Sequence, residues 1–113
     1  MEINCFTDVK IEVYLPAENL NEMVNALNQA KAGVLGNYDH VFAISEVTGH
    51  WRPLEGSNPF IGKAGEMETA PEIKLEINCR REYVTAALLA IRSTHPYEEP
   101  LIRVIPILNN FFE

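Results

Sequence analysis

The stretch Val9-Lys10-Ile11-Glu12-Val13 decides the fold, because a matching stretch follows 64 residues later in the chain. That second stretch is Ile73-Lys74-Leu75-Glu76-Ile77. In both, apolar side chains alternate with Lys and Glu, which is the period of a strand with one buried face. Any two strand–helix units look somewhat alike, but the shared Lys-x-Glu pair favours a true structural repeat.

An apolar face at helical spacing follows each of these strands. The same shift of 64 residues carries the first helical pattern onto the second, which extends the repeat. Pro16 suits the first turn of the first helix, and Gly33 suits its end. The predicted buried positions are Leu20, Met23, Val24 and Leu27 in the first helix, and Val84, Ala87, Leu88 and Ile91 in the second.

A further strand candidate follows each helix, at residues 41–47 and 101–108. The order β-α-β-β-α-β predicts an α+β, ferredoxin-like fold, with a four-stranded antiparallel sheet and two helices on one face. The second and fourth strands are the sheet edges in that plan, and Pro106 fits an edge because its missing N–H can face outward. We expect a single domain over residues 1–113, with its core at about 9–107.

The acidic composition restricts the partners of the chain. Sixteen Asp and Glu residues stand against nine Lys and Arg, so the formal net charge is -7. Such a surface repels phosphate backbones, and we expect no nucleic-acid partner. The longest apolar stretch, residues 86–91, is far below the ~20 residues of a membrane span, and no secretion signal is evident. With Cys5 and Cys79 as free thiols, we predict a cytoplasmic protein without a membrane partner.

The hexapeptide His95-Pro96-Tyr97-Glu98-Glu99-Pro100 is the first candidate functional segment. Each proline disfavours helical geometry at the residue before it, so the second helix must end here. The segment could be a binding site, or a rigid hinge that delivers the last strand to the sheet. Glu98 and Glu99 are neighbours on a segment that we expect to be extended. They should therefore point to opposite faces and not form an acid/base pair.

The loop at residues 48–67 is the second candidate, because it is much longer than a simple hairpin connection. Long loops often carry function. The alternative, which we favour, is that Trp51, Leu54 and Phe60 pack the loop onto its own sheet or onto a neighbouring subunit. The segment Gly56–Lys63 lacks the spacing and the hydroxyl of a phosphate-binding loop.

A third polar segment, residues 36–40, precedes the second strand. Like residues 95–100, it follows a helix and leads into an edge strand, so the two segments hold equivalent places in the repeat and need not adjoin within one subunit. We predict binding residues in all three segments. The candidates are Asn37, Tyr38, Asp39, His40, Trp51, Arg52, His95, Tyr97, Glu98 and Glu99.

Metal and catalytic sites have little support in the sequence. The three histidines are scattered, and the close-spaced His or Cys pairs of a zinc site are absent. His40 beside Asp39, and His95 near two glutamates, could supply part of a metal shell. We therefore predict weak divalent-metal binding that depends on His40 or His95, and no other cofactor. No catalytic residue is predicted, because neither cysteine has a histidine close to it in the sequence.

Four motifs resemble a known group of proteins. Residues 95–100 resemble the His-Pro-Tyr-Glu-x-Pro signature of CutA proteins. Gly36-Asn-Tyr-Asp-His40, Arg52-Pro-Leu-Glu-Gly56 and Asn58-Pro-Phe-Ile-Gly62 resemble a narrower relative. That relative is the CutA/PII-like domain inserted in the long, YqfO-type members of the NIF-three-like (NGG-one-interacting-factor-three-like) family. The resemblance covers about residues 9 to 107.

The resemblance implies a ferredoxin-like domain that assembles as a trimer. In the long family members, the dinuclear metal site and the supposed hydrolase activity belong to flanking domains, and their metal ligands have no counterparts here. We therefore predict a non-catalytic binding or regulatory module. It should be a homo-oligomer, trimer ahead of dimer, with a small molecule or a protein as its unidentified partner. The alternatives are a CutA-like divalent-metal-binding protein and an enzyme whose site lies at a subunit boundary.

Overall fold

A computed structural model of the chain describes residues 3–113 and contains one four-stranded sheet and two α-helices. The order of strands across the sheet confirms the ferredoxin-like prediction, since β2-β3-β1-β4 are all paired antiparallel. Within the described part of the chain, no helix has the length and hydrophobicity that a membrane crossing requires. The elements are β1 (Asp8–Leu15), α1 (Leu20–Gln29), β2 (Phe42–Trp51), β3 (Glu68–Arg80), α2 (Val84–Thr94) and β4 (Ile102–Ile107).

The internal repeat is visible in the backbone. Short 3-10 helices at Ala17–Asn19 and Arg81–Tyr83 precede α1 and α2, and the two α-helices begin at residues 20 and 84. Pro16 and Arg80 lead into these turns with nearly the same extended geometry, at φ -62°, ψ 142° and φ -67°, ψ 142°. Equivalent positions in the two units therefore share local conformation as well as apolar pattern.

The two units diverge where their helices end. Lys31 is left-handed, with a φ of 72°, and the chain turns back through Gly33. His95, its equivalent, is extended at φ -74°, ψ 133°, as the following proline requires. In the second unit the chain then meets β1 just before β4 begins, where the Tyr14 N–H donates to the Leu101 carbonyl at 3.3 Å.

The core lies between the helices and the two central strands, β1 and β3. Alternate residues of these strands face the helices and are buried, as the period of two requires. The predicted helix faces are confirmed, with Leu20, Val84 and Leu88 only partly buried at the rim. The largest fully buried side chains are Val9, Ile11, Val13, Leu15, Met23, Leu27, Leu75, Ile77 and Ile91.

The central hairpin is longer than the sequence predicted. β2 continues to Trp51 instead of ending at Val47, and β3 begins at Glu68, so the loop comprises residues 52–67. The pairing of β3 with β1 starts only at Ile73, which leaves the first part of β3 paired with β2 alone. Pro71 is tolerated in this segment, because β3 has no partner strand on its other side there and needs no N–H donor toward that side.

Candidate functional site

Tyr97 is the centre of an aromatic cluster that joins the hexapeptide to the long loop. Its ring centroid lies 4.8 Å from that of His95, 5.9 Å from Phe60 and 6.2 Å from Trp51. Its hydroxyl donates to Oε2 of Glu72 at 2.7 Å. Burial, reinforced by this carboxylate, raises the pKa of Tyr97 well above its usual value. The hydroxyl therefore remains a protonated donor. The Tyr97 side chain links the hexapeptide to the long loop through Phe60 and to β3 through Glu72.

The sequence patterns do not single out Glu72, yet it anchors this cluster. It is only 8% exposed, and it projects from β3 across Gly49 of the neighbouring β2. A Cβ built on Gly49 would overlap Oε1 of Glu72 and would lie 2.7 Å from its Cδ. Any larger residue at position 49 would displace the buried carboxylate from this position. A glycine inside a strand often marks such a close approach, so Gly49 was the one feature of the sequence that could have pointed to Glu72.

The imidazole of His95 uses both of its nitrogens within the protein. Nε2 lies 2.7 Å from the Tyr14 carbonyl, which can only accept, so Nε2 carries the proton. Nδ1 accepts from the backbone N–H of Tyr97 at 3.1 Å. Burial is the largest effect on the ring and lowers the pKa of His95. The lone pair of Nδ1 already accepts a hydrogen bond, so this geometry gives no support to the prediction that His95 binds a metal.

The neutral state of His95 makes the stability of the protein sensitive to pH. Because its pKa is lower in the folded than in the unfolded chain, the unfolded chain takes up the proton first as the pH falls. The free energy of unfolding should therefore decrease as the pH drops below about 6.5 toward the folded pKa. His95→Gln keeps a donor for the Tyr14 carbonyl, and its free energy of unfolding should no longer show this decrease at low pH. The control, His40→Gln at an exposed position, should still show it. Urea unfolding between about pH 5.5 and 7.5 measures it; identical profiles for wild type and His95→Gln would contradict the assignment.

The long loop borders a half-open cavity of about 650 Å³ at the end of the sheet. Tyr14, Glu72 and Arg103 contribute to its lining, and their positions alternate with the helix-facing core residues. The cavity therefore lies on the sheet face opposite the helices. Its size falls within the range of roughly 300–1,000 Å³ that is typical of small-molecule sites.

Three hydrogen bonds hold the loop beside the cavity. The Gly65 N–H donates to the Pro53 carbonyl at 2.7 Å and closes the base of the loop. The indole N–H of Trp51 donates to the Ile61 carbonyl at 3.2 Å. Farther along, the Asn58 N–H donates to Oε2 of Glu98 at 2.6 Å. This last bond fastens the loop to the hexapeptide, so the two candidate segments form one site.

The cavity combines aromatic walls with charged groups. Glu98 and Glu99 both line it, because residues 97–99 form a bend. This corrects the expectation of an extended segment with the two carboxylates on opposite faces. Leu54 is 63% exposed, so it does not pack the loop onto its own sheet, and its packing onto a neighbouring subunit stays a prediction. The aromatic lining residues are Tyr14, Trp51, Phe60 and Tyr97, and the charged ones are Arg52, Glu72, Glu98, Glu99 and Arg103.

The remaining candidates lie at the opposite end of β2. Asn37, Tyr38, Asp39 and His40 precede Phe42, whereas the cavity adjoins Trp51, nine residues or roughly 30 Å along the strand. Tyr38 is exposed, and the His40 N–H donates to Oδ1 of Asn28 at 3.1 Å. As the repeat suggested, residues 36–40 and 95–100 do not adjoin.

Metal ligands remain sparse in the folded chain. Among residues 3–113, no cluster of three or more His, Cys, Asp or Glu side chains could hold a metal ion. Nδ1 of His40 lies 3.0 Å from Oδ1 of Asp39, on the surface. Burial raises the pKa of Cys79 to about 11, which disfavours the thiolate that binds metals or attacks substrates. Among the described residues, His40 and Asp39 are an exposed pair that could form part of a shell.

Comparison with curated proteins finds relatives much longer than this chain. Proteins named GTP cyclohydrolase 1 type 2 homolog are 37% identical over 100 residues in Halalkalibacterium halodurans and 38% over 98 residues in Bacillus subtilis. The alignments cover 88% and 87% of this chain. They cover 27% and 26% of those relatives, so the chain spans about a quarter of their length. No family model matches the chain.

Solved structures agree with the sequence resemblance. A Bacillus cereus protein related to NIF3 has a TM-score of 0.78 and 31% identity, over 90% of this chain and 26% of that one. The periplasmic divalent cation tolerance protein CutA from Archaeoglobus fulgidus has a TM-score of 0.65 at 19% identity, over 88% and 83%. The PII-like protein CutA from Nostoc has a TM-score of 0.67 at 17% identity, over 93% and 86%.

The chain has the CutA/PII-like fold. It also resembles one segment of the NIF3-related proteins, which confirms the resemblance inferred from its four motifs. Two of those motifs, at residues 52–56 and 58–62, lie in the cavity loop, and a third is the hexapeptide. The motifs that carry the resemblance are therefore largely the ones that build the cavity.

Proposed function

We propose that this CutA/PII-like domain is a non-catalytic, oligomeric module that binds a small molecule in the cavity beside the long loop. The observation that carries this proposal is a cavity of ligand size whose one lining group with a perturbed pKa, Tyr97, is already hydrogen-bonded to Glu72. His95 packs against the Tyr97 ring outside the lining, and both of its nitrogens bind the backbone. A catalytic acid or base must instead be free to reach a substrate.

The cavity also offers no activated nucleophile in the described part of the chain. Thr48 and Ser57 line it, and in the described chain neither hydroxyl forms a hydrogen bond with a histidine or a carboxylate. Nucleophilic catalysis needs such a partner. We therefore do not extend the cyclohydrolase name of the longer relatives to this chain.

An NMR titration tests the binding function. Small organic anions, cations and neutral ring compounds are added in turn to isotope-labelled protein. We expect at least one compound to shift the amide signals of Trp51, Tyr97 and residues 58–61, and to be recovered unchanged. Conversion to a new product would show an enzyme, and a panel that shifts none of these signals would overturn the binding proposal.

Both edges of the sheet support self-association. Phe42 and Ile44 on β2, and Val104 and Ile105 on β4, are large apolar side chains that remain exposed. An edge strand also presents unpaired backbone groups to any neighbouring chain. Covering these edges with further copies of the chain would remove the apolar surface from water. The resemblance to CutA and PII proteins favours three copies over two.

We expect light scattering at micromolar concentration to give about three times the mass of the chain. Ile44→Lys and Val104→Lys should lower this mass, because each places a charge in the contact. Leu89→Lys is the matched control, since Leu89 is also apolar and exposed but lies on α2. A wild-type monomer, or an unchanged mass in both edge variants, would contradict the proposed assembly.

A CutA-like metal-binding role is the alternative function. His40 with Asp39 is the partial shell that favours it, and water or another subunit would have to complete that shell. We predict weak binding of copper or zinc in calorimetry and its loss in His40→Ala. Tight stoichiometric binding that survives this substitution would place the metal elsewhere, with His50 as the next candidate.

Three further predictions about the surroundings of the protein rest on the sequence. The net charge of -7 argues against a nucleic-acid partner. We also predict a cytoplasmic location and, as an alternative to a small molecule, a protein partner for the long loop.

A further inference from the structure

We infer that the cavity binds a small organic anion with a flat ring. This inference deepens the proposed binding function and rests on it. Its basis is the set of cavity side chains that have no partner within the protein, together with the aromatic surfaces beside them.

Two unpaired guanidinium groups line the cavity. Arg52 begins the long loop, and Arg103 lies on β4. Among the described residues, neither forms an ion pair or a side-chain hydrogen bond. Because the guanidinium group remains charged and presents several donors in a fixed plane, two of them suit a carboxylate or a phosphate.

The neighbouring Glu12 does not neutralise Arg103. The two residues are directly opposite each other on β1 and β4. However, Oε2 of Glu12 lies 3.0 Å from Nζ of Lys10 and 3.4 Å from Nζ of Lys74. Side-chain hydrogen bonding to Lys10 lowers the pKa of Glu12. With two ammonium groups on this one carboxylate, the charge of Arg103 remains available to a ligand.

Two of the three carboxylates in the cavity lining already accept a hydrogen bond within the protein. Glu72 accepts the hydrogen bond from the Tyr97 hydroxyl, and Glu98 accepts that from the Asn58 N–H. Of the three lining carboxylates, only Glu99 has no such partner in the described residues. These bonds leave the charges of Glu72 and Glu98 in place but occupy oxygens of both side chains, so the charged donors that stay free for a ligand are the two guanidinium groups.

The aromatic walls select for a flat ring. The indole N–H of Trp51 donates to the Ile61 carbonyl, so the ring presents mainly its apolar surface to the cavity. Phe60 has more than half of its side chain exposed although it lines the cavity. Both rings are tilted against Tyr97, at 40° and 43°. A planar ring that packs on these surfaces would remove them from water.

Compounds that share one ring but differ in charge test the inference. Benzoate and phenyl phosphate are the ring anions, benzyl alcohol and benzamidine are the neutral and cationic controls, and inorganic phosphate is the anion without a ring. Trp51 is the only tryptophan, so its fluorescence reports on the cavity. We expect the better ring anion to bind at least about tenfold more tightly than any control. Which of the two binds more tightly identifies a carboxylate or a phosphate as the preferred group.

Substitutions then assign the anion to the two arginines. Arg52→Gln and Arg103→Gln should each weaken binding of the better ring anion at least about fivefold. Lys63→Gln, in the same loop but outside the cavity lining, should leave the affinity unchanged. Thermal unfolding of each variant confirms that it remains folded.

The outcomes separate this inference from the binding function. Tighter binding of benzamidine or benzyl alcohol, or full affinity in both arginine variants, would overturn the inference and leave the binding function standing. If no compound changes the Trp51 signal and the NMR panel is also silent, both fail.

Discussion

Replacing Gly49 by alanine will lower the free energy of unfolding by roughly 2–4 kcal/mol. The new Cβ would overlap Oε1 of Glu72 and lie 2.7 Å from its Cδ. The end of a glutamate can usually rotate away from such a contact. Here the carboxylate is buried and bonded to the Tyr97 hydroxyl, so any movement breaks a buried hydrogen bond. Urea unfolding measures the loss.

A double-mutant cycle isolates the cause of this loss. Tyr97→Phe removes the hydroxyl and keeps the ring, so Glu72 has no bond left to lose in that background. Gly49→Ala should therefore cost less in Tyr97→Phe than in the wild type, a non-additivity of at least about 0.5 kcal/mol. Ser45→Ala, at an exposed position of the same strand, is the control and should change little. Strict additivity, or a Gly49→Ala protein as stable as wild type, would show that Glu72 adapts freely.

Removal of the Tyr97 side chain should cost about 3 kcal/mol of stability, at the low end for a large aromatic because the ring is half-buried. Tyr97→Ala deletes ring contacts with Trp51, Phe60 and His95 and leaves the Glu72 carboxylate without its donor. The loop would lose one of its anchors, so hydrogen exchange at residues 58–61 should become faster. Thermal or urea unfolding, with exchange measured by NMR, tests both effects.

Two matched variants divide this effect into its parts. Tyr97→Phe should cost about 1–2 kcal/mol, the penalty for a buried carboxylate that loses one donor. Tyr38→Ala removes an equally large side chain that is 73% exposed, and it should leave stability nearly unchanged. If Tyr97→Ala is as harmless as Tyr38→Ala, the ring does not support the architecture and is free for contact with a ligand.

The fold was predictable because its signals are local. Strand period and helix spacing act over a few residues, so residues 9–13 and 73–77 both form strands, and Pro16 and Arg80, which follow them, have nearly the same backbone angles. Pro106 likewise indicated an edge through its own missing N–H, and β4 is an edge. The extended hairpin was missed because Gly49 and Pro71 interrupt the alternation, and both are accommodated only through the neighbouring strand.

The candidate site was predictable only in part. The hexapeptide and the long loop stood out by composition, and Trp51, Arg52, Tyr97, Glu98 and Glu99 do line one cavity. Nothing local indicated that these two segments meet, because the bond between Asn58 and Glu98 joins residues 40 positions apart.

The sequence by itself therefore determined the elements, their order and the segments that carry the unusual residues, since each of these follows from chemistry within a few positions. Tertiary structure alone decided which groups remain free. His95 and Glu72 are consumed by partners that the sheet register and the hexapeptide bring to them. Arg52 and Arg103 are left without a carboxylate in the described chain. A hydrogen bond or ion pair forms only when two groups lie about 3 Å apart. For residues remote in sequence, the periodic pattern of the chain does not encode that distance.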